Sequence, residues 1–217
     1  MSNELKDSSQ VPPSGGGRGN VAIIKYNAGN IQSVLNALER LGVKAEVTDD
    51  AEKIKSSDKV IFPGVGEASS AMKSLRENNL DKVIKELKQP VLGICVGMQL
   101  LCEHSEENDA ACLEIVPIKV KRFQNLPIGN GGKIPQVGWN TIYDLKSLLF
   151  NNVSDNTYIY NVHSYYAEDS EFTIAKCNYG IEYAAAIKKD NFYGVQFHTE
   201  KSAEIGDRII KNFLELT

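Results

Sequence analysis

From Val21 onward the hydrophobic and polar positions fall into recognisable periods. "VAIIKY" is a short apolar run that predicts a strand, and Ile31, Val34, Leu35, Leu38 and Leu41 recur at helical spacing until Gly42 ends the stripe. "VKAEVT" and "DKVIFPG" predict two further strands with a short helix from Ala51 between them, and helical patterns occupy Glu67 to Leu87. The run "PVLGI" is then a buried strand that flows through "CVG" into another helical pattern. Strands alternating with helices at this spacing predict right-handed β-α-β units and a mostly parallel sheet covered on both faces.

Beyond Glu107 the texture changes to short strands separated by turns: "EIVPIKVKRF", "KIPQVGWNTI", "NTYIYNVHSYY", "FTIAKC", "YAAAIKK" and "FYGVQFH". This predicts an antiparallel flap or extra sheet before a closing helix, "SAEIGDRIIKNFLEL". No internal repeat is visible. Residues 1–20, rich in Ser, Gly, Pro and charge, predict a flexible tail or cloning remnant ahead of one domain over residues 21–217. The glycine run in that tail has no strand before it and no G-K-[ST] after it, so it does not make a phosphate loop.

Composition narrows the function classes. With 217 residues, 42% apolar and 24% charged, the chain suits one soluble globular core. A formal net charge of -4 offers no basic surface for nucleic acid or an anionic membrane. No apolar run approaches the roughly 18 residues of a membrane span. The four cysteines, Cys95, Cys102, Cys112 and Cys177, form no C-x-x-C pair, which predicts free thiols in a reducing, cytoplasmic setting.

Chemistry concentrates at Cys95. A buried strand ending in G-x-C-x-G and passing into a helix has the form of a nucleophile elbow, with Gly93 and Gly97 leaving room for close backbone. The plainer reading is a small buried cysteine between two elements. A catalytic thiol needs a base beside it and a third group to orient that base. Of three histidines, His104 is expected on the surface, down the helix that Cys95 opens. His163 and His198 could each reach the carboxyl edge of the sheet, where active-site groups of open α/β folds gather. Glu200, two residues after His198, is placed to hold the imidazole in one tautomer. An H-x-E pair also opens the zinc deaminase pattern, but no P-C-x-x-C follows, so no metal site is expected. In "FPGVGE", Gly64 and Gly66 can turn backbone N–H groups toward an oxyanion, whereas Ser69 spoils a dinucleotide fingerprint.

Taken together, "FPGVGE", "GICVGMQLLCEHSEE", "KIPQVGWN", "HSYY" and "QFHTEKS" in this order resemble the class I, triad-type glutamine amidotransferases from Val21 to the C-terminus. Within that class, "AGNIQSV", P-x-x-G-W-N and H-S-Y-Y are similar to the glutaminase subunits of imidazole glycerol phosphate synthase. The resemblance implies a flavodoxin-like α/β fold, no cofactor, and hydrolysis of glutamine through a thioester on Cys95. It makes His198 the base and Glu200 its orienting acid, with oxyanion donors at Val96 and Val65. Gly66, Gln99, Glu107, Ser164 and Tyr165 match glutamine contacts, which puts His163 on a binding strand. Trp139, Asn140, Tyr160 and Lys201 match positions at or near the interface with a partner cyclase, a β/α barrel that receives the ammonia in a heterodimer. Four departures stand out: Lys25 and Asn27 for an acid and a glycine, Gln136 for histidine, and Thr199 for proline. Thr199 bears most on the chemistry, because proline there helps fix His198 against Glu200. The same triad also serves other ammonia-using synthases, and non-catalytic relatives share the fold.

Overall fold

The computed structural model describes residues 19–27, 30–124, 126 and 133–217. Most of the tail expectation, residues 1–18, lies outside them, as does part of "AGNIQSV". In chain order the elements are β1 (Val21–Ile24), α1 (Ile31–Arg40), β2 (Ala45–Thr48), α2 (Ala51–Ser56), β3 (Lys59–Gly64), α3 (Ala68–Glu77), α4 (Leu80–Glu86), β4 (Val91–Cys95) and α5 (Val96–Leu101). Then follow β5 (Cys102–Ser105), β6 (Ala110–Ala111), β7 (Val116–Arg122), β8 (Gln136–Tyr143), β9 (Thr157–His163), β10 (Tyr165–Ala167), β11 (Thr173–Asn178), β12 (Glu182–Lys189), β13 (Phe192–Val195) and α6 (Ala203–Glu215).

Strands that read as continuous apolar runs become the parallel core. β1 and β4 are buried along their whole length, as strands covered on both faces must be. The order β2-β1-β3-β4-β13 is parallel throughout, and each crossover carries helix. Helices bury the faces that the 3.6-residue period marks: Val34, Ala37 and Leu38 from α1, Ala71, Met72 and Leu75 from α3, Ile209, Ile210 and Phe213 from α6. Phe62 and Phe213 have no exposed surface, and truncating either to alanine would cost about 3–5 kcal/mol. Asn79, with φ 55°, breaks the long helical pattern into α3 and α4.

Two expectations are corrected here. "FYGVQFH" does not belong to the antiparallel region: β13 runs parallel to β4, in register from Phe192 opposite Val91 to Val195 opposite Ile94. It is antiparallel only to β12, so it is the seam at which the sheet changes direction. His104 does not lie on a helix. α5 stops at Leu101, and His104 sits on β5, with Nε2 2.8 Å from Asp109 Oδ1.

The later strands continue the same sheet through β12, β10, β7, β5 and β6 rather than forming a separate one; every pairing along this path is antiparallel except β7 with β5, which is parallel. A branch runs from β12 through β11 and β8 to β9. β9 brings its backbone over the carboxyl end of β4, where Val162 O lies 3.9 Å from Cys95 Sγ. Among the described residues no helix is long and apolar enough to cross a membrane.

Candidate active site

The turn from β4 to α5 forces one residue into a strained backbone. Cys95 has φ 54° and ψ -113°, a region that non-glycine residues occupy at a cost of about 1–3 kcal/mol and mostly where function requires it. The turn closes because glycines line it: a Cβ on Gly97 would stand 1.9 Å from Phe62 O, and one on Gly64 would stand 2.3 Å from Gly97 N. β3, β4 and the start of α5 therefore pack backbone to backbone, and the thiol is raised at the carboxyl end of the central strand.

β13, beside β4, carries the chain to the partner of this thiol. Three residues beyond its end stands His198, buried, with its backbone N–H donating to Tyr160 O at 2.9 Å. Ser202 stitches the segment, its Oγ donating to His198 O at 2.7 Å while accepting from Tyr160 N at 3.0 Å. His198 Nδ1 lies 2.8 Å from Glu200 Oε1. Burial alone would lower the imidazole pKa, but hydrogen bonds to Cys95 and Glu200, and the charges of both, outweigh it and raise the value. The protonated ring is thus favoured between an acid and a thiol.

Thr199 does not disturb this pair. It is fully buried within the short turn Thr199–Lys201, and the His198 to Glu200 distance is that of a strong hydrogen bond. Its hydroxyl meets no partner among the described residues.

A cavity of about 360 Å³ opens over Cys95 and His198. Its walls include Val65, Gly66, Val96, Gln99, Glu107, Ser164 and Tyr165, so each oxyanion and glutamine-contact position expected from sequence is brought to one place. Gln99 is part of the wall as much as a ligand group: its Nε2 is committed to Tyr165 O at 3.0 Å and Gln196 Oε1 at 2.9 Å. Glu107 accepts from Ala68 N at 2.7 Å, and burial, opposed by that bond, raises its pKa. Lys201 stands at the cavity wall, whereas Trp139, Asn140 and Tyr160 do not.

Those three lie on the β8–β9 ribbon beside it. Trp139 packs edge-on against its cross-strand partner Tyr160, ring centres 5.7 Å apart. Asn140 Nδ2 donates to Asn178 O at 2.9 Å. Val137, Trp139 and Tyr158 are more than half exposed on this ribbon, a concentration of apolar surface.

His163 also faces the cavity, but as structure. Its Nδ1 donates to Tyr165 O at 2.7 Å, its Nε2 lies 3.2 Å from Tyr183 Oη, and burial pushes its pKa down to about 4. With its Nδ1–H given to a carbonyl and its Nε2 against the Tyr183 hydroxyl, the ring has no free lone pair with which to take a proton from the thiol.

Sequence reasoning missed three groups. Gln196, fully buried, places Nε2 3.9 Å from Cys95 Sγ, and the clue was a polar residue inside the apolar run "YGVQF". Ser202 gave no signal beyond a plausible helix cap. Asn30 reaches Glu200 from the other end of the chain, Nδ2 to Oε1 3.3 Å. All four cysteines are free and buried, and among the described residues no three His, Cys, Asp or Glu groups converge as metal ligands.

Comparison with known proteins agrees in kind. Residues 22–216 match the family model of glutamine amidotransferase class-I. The imidazole glycerol phosphate synthase subunit HisH of Bacteroides fragilis is 58% identical over 196 residues, which is 90% of this chain and 99% of that protein. The HisH subunit of Idiomarina loihiensis is 45% identical over 91% of this chain and 98% of its own length. Among solved structures, a glutamine amidotransferase superposes with a TM-score of 0.68 at 18% identity, covering 90% of this chain and 97% of that one, a likeness of fold.

Proposed function

Because the chain belongs to the class-I glutamine amidotransferases, and within them to the HisH subunits of imidazole glycerol phosphate synthase, we propose that Cys95, His198 and Glu200 are its catalytic triad. The chain is an enzyme that hydrolyses glutamine to glutamate and ammonia. The ammonia feeds the cyclase subunit of the synthase in histidine biosynthesis. The observation that carries the site assignment is the convergence of a strained cysteine, a histidine whose protonated form is favoured and a buried acid at the ends of two adjacent parallel strands.

The chemistry follows from these groups. The Cys95 thiolate attacks the side-chain amide carbon of glutamine, and the carbonyl π electrons move to oxygen. The backbone N–H of Val96, first in α5, and that of Val65 receive this oxyanion. Imidazolium His198 then protonates the departing nitrogen, the C–N bond breaks, and ammonia leaves a γ-glutamyl thioester. Water adds as neutral His198 takes its proton; on collapse the C–S bond breaks, releasing glutamate and regenerating the thiolate. Glu200 stays ionised and holds Nδ1–H throughout. Gly66, Gln99, Glu107, Ser164 and Tyr165 enclose the substrate, and Glu107, an acid in the cavity wall, suits its ammonium group.

Trp139, Asn140, Tyr160 and Lys201 face the cyclase in this reading, supported by the exposed apolar ribbon that adjoins the cavity. Four free buried thiols fit a cytoplasmic location. The decisive experiment is glutamate release from glutamine by the chain alone and with the cognate cyclase and its ribonucleotide. Weak release alone, strong stimulation by the loaded cyclase, and loss of glutamine-dependent but not ammonia-dependent synthesis in Cys95→Ala are expected. Full release in Cys95→Ala would overturn the assignment.

A further inference from the structure

The connection between β1 and α1 delivers one polar side chain to the triad. Asn30 caps the start of α1 in a left-handed backbone conformation, φ 72° and ψ 19°. Its Nδ2 lies 3.3 Å from Glu200 Oε1, the same oxygen that lies 2.8 Å from His198 Nδ1. We propose that Asn30 is a positioning residue of the glutaminase centre, holding the Glu200 carboxylate in place and, through it, the orientation of His198. This inference rests on the triad roles given above.

The amide is oriented from both ends. Ser33 Oγ donates to Asn30 Oδ1. An ionised carboxylate can only accept, so the amide presents its NH₂ to Glu200 and its oxygen to Ser33. Glu200 in turn has little else to hold it. Its side chain is 2% exposed, and its second oxygen, Oε2, meets no donor among the described residues. With both contacts on Oε1, losing the Asn30 donor leaves the carboxylate held by His198 alone among the described residues.

The helix that carries Asn30 is itself fastened to the segment that carries the triad. α1 packs against the turn Thr199–Lys201. At its far end Arg40 donates to both oxygens of Asp207 on α6, at 2.7 and 3.2 Å. Asn30 does not line the cavity, so it acts on the reaction through Glu200 and not by touching glutamine.

Asn30→Gly removes the amide while keeping a backbone that glycine adopts freely, and Asn30→Asp keeps the shape while replacing the donor by oxygen. Turnover is measured in the cyclase complex with its ribonucleotide. Cys95 alkylation by iodoacetamide is followed against pH on the chain alone. Asn30→Gly is expected to lower kcat about 10- to 100-fold with the KM for glutamine changed less than about twofold, and Ser33→Ala to lower kcat by a smaller factor. The alkylation profile of Asn30→Gly should move to higher pH, because a loosened Glu200 favours the imidazolium less and the thiolate with it. A raised KM at unchanged kcat, or an unchanged kcat together with an unmoved alkylation profile, would overturn the proposal. If the glycine variant does not fold, Asn30→Asp carries the test, with a loss of kcat at least as large expected. Wild-type chain lacking Cys95-dependent release would instead strike the triad roles, and the alkylation profile would still read Asn30.

Discussion

His163 and His198 both line one cavity, both are buried, and burial pushes both imidazoles toward the neutral form. They end in opposite states. Around His163 the partners are a carbonyl oxygen, a tyrosine hydroxyl and aromatic rings, none of which carries enough charge to offset desolvation, and the pKa falls to about 4. Around His198 burial is outweighed by a carboxylate at 2.8 Å and by the Cys95 thiol, and the pKa rises. The lesson is that depth in the protein does not make a histidine a base. What separates the two is a charged partner on each side of the ring, which the H-x-E turn and the elbow supply to one and not the other.

The comparison can be broken hardest at His198. Replacing it with alanine should lower glutamine turnover about 10⁴-fold, whereas His163→Asn should keep turnover within about tenfold. Equal losses would erase the distinction. Next in size, Glu200→Gln keeps the shape but removes the charge that opposes burial, and kcat should fall about 100-fold while the pH profile of Cys95 alkylation moves up. An unmoved profile would mean that the acid does not set the state of the ring.

The two histidines also act on stability in separate pH windows. The His163 pKa is depressed from 6.5 to about 4, so its contribution is present above pH 6.5 and lost as pH falls toward 4, about 3 kcal/mol in all. The His198 pKa is raised, so its contribution is complete below 6.5 and lost only as pH rises through the folded value. Urea unfolding of wild type and His163→Asn between pH 7 and 4 should therefore converge as the pH falls; parallel curves would refute the depressed value. Smallest is Tyr183→Phe, which strips Gln136 and His163 of a shared hydroxyl at 3.0 and 3.2 Å and should cost about 1–2 kcal/mol with little change in kcat.

Much of this was legible in the chain, for reasons that particular residues make plain. Cys95 was visible because an elbow needs glycine on both sides, and Glu200 because a turn of two residues suffices to bring an acid onto Nδ1. Apolar runs announced β1, β3 and β4, and helical stripes announced α1 and α6. What stayed hidden was pairing. "FYGVQFH" reads as a strand, but nothing within it says that its neighbours are β4 and β12, because strand partners are chosen by the rest of the sheet. His104 was misplaced because α5 ends after two turns at Cys102 with no glycine or proline to announce it. Asn30 and Gln196 look like ordinary polar residues until residues 170 and 101 positions away come beside them.

The place of β13 has a consequence for how the molecule is made. It follows every other described strand in chain order, yet it occupies the slot between β4 and β12 in the middle of the ordered path. Without Phe192–Val195, β4 loses its parallel neighbour on one side and β12 its hairpin partner, so each keeps an unpaired hydrogen-bonding edge. A chain cut before His198 carries its nucleophile without its base. The segment that closes the centre of the sheet is thus the one that delivers the base, so completing the fold and completing the catalytic machinery are a single step along the chain.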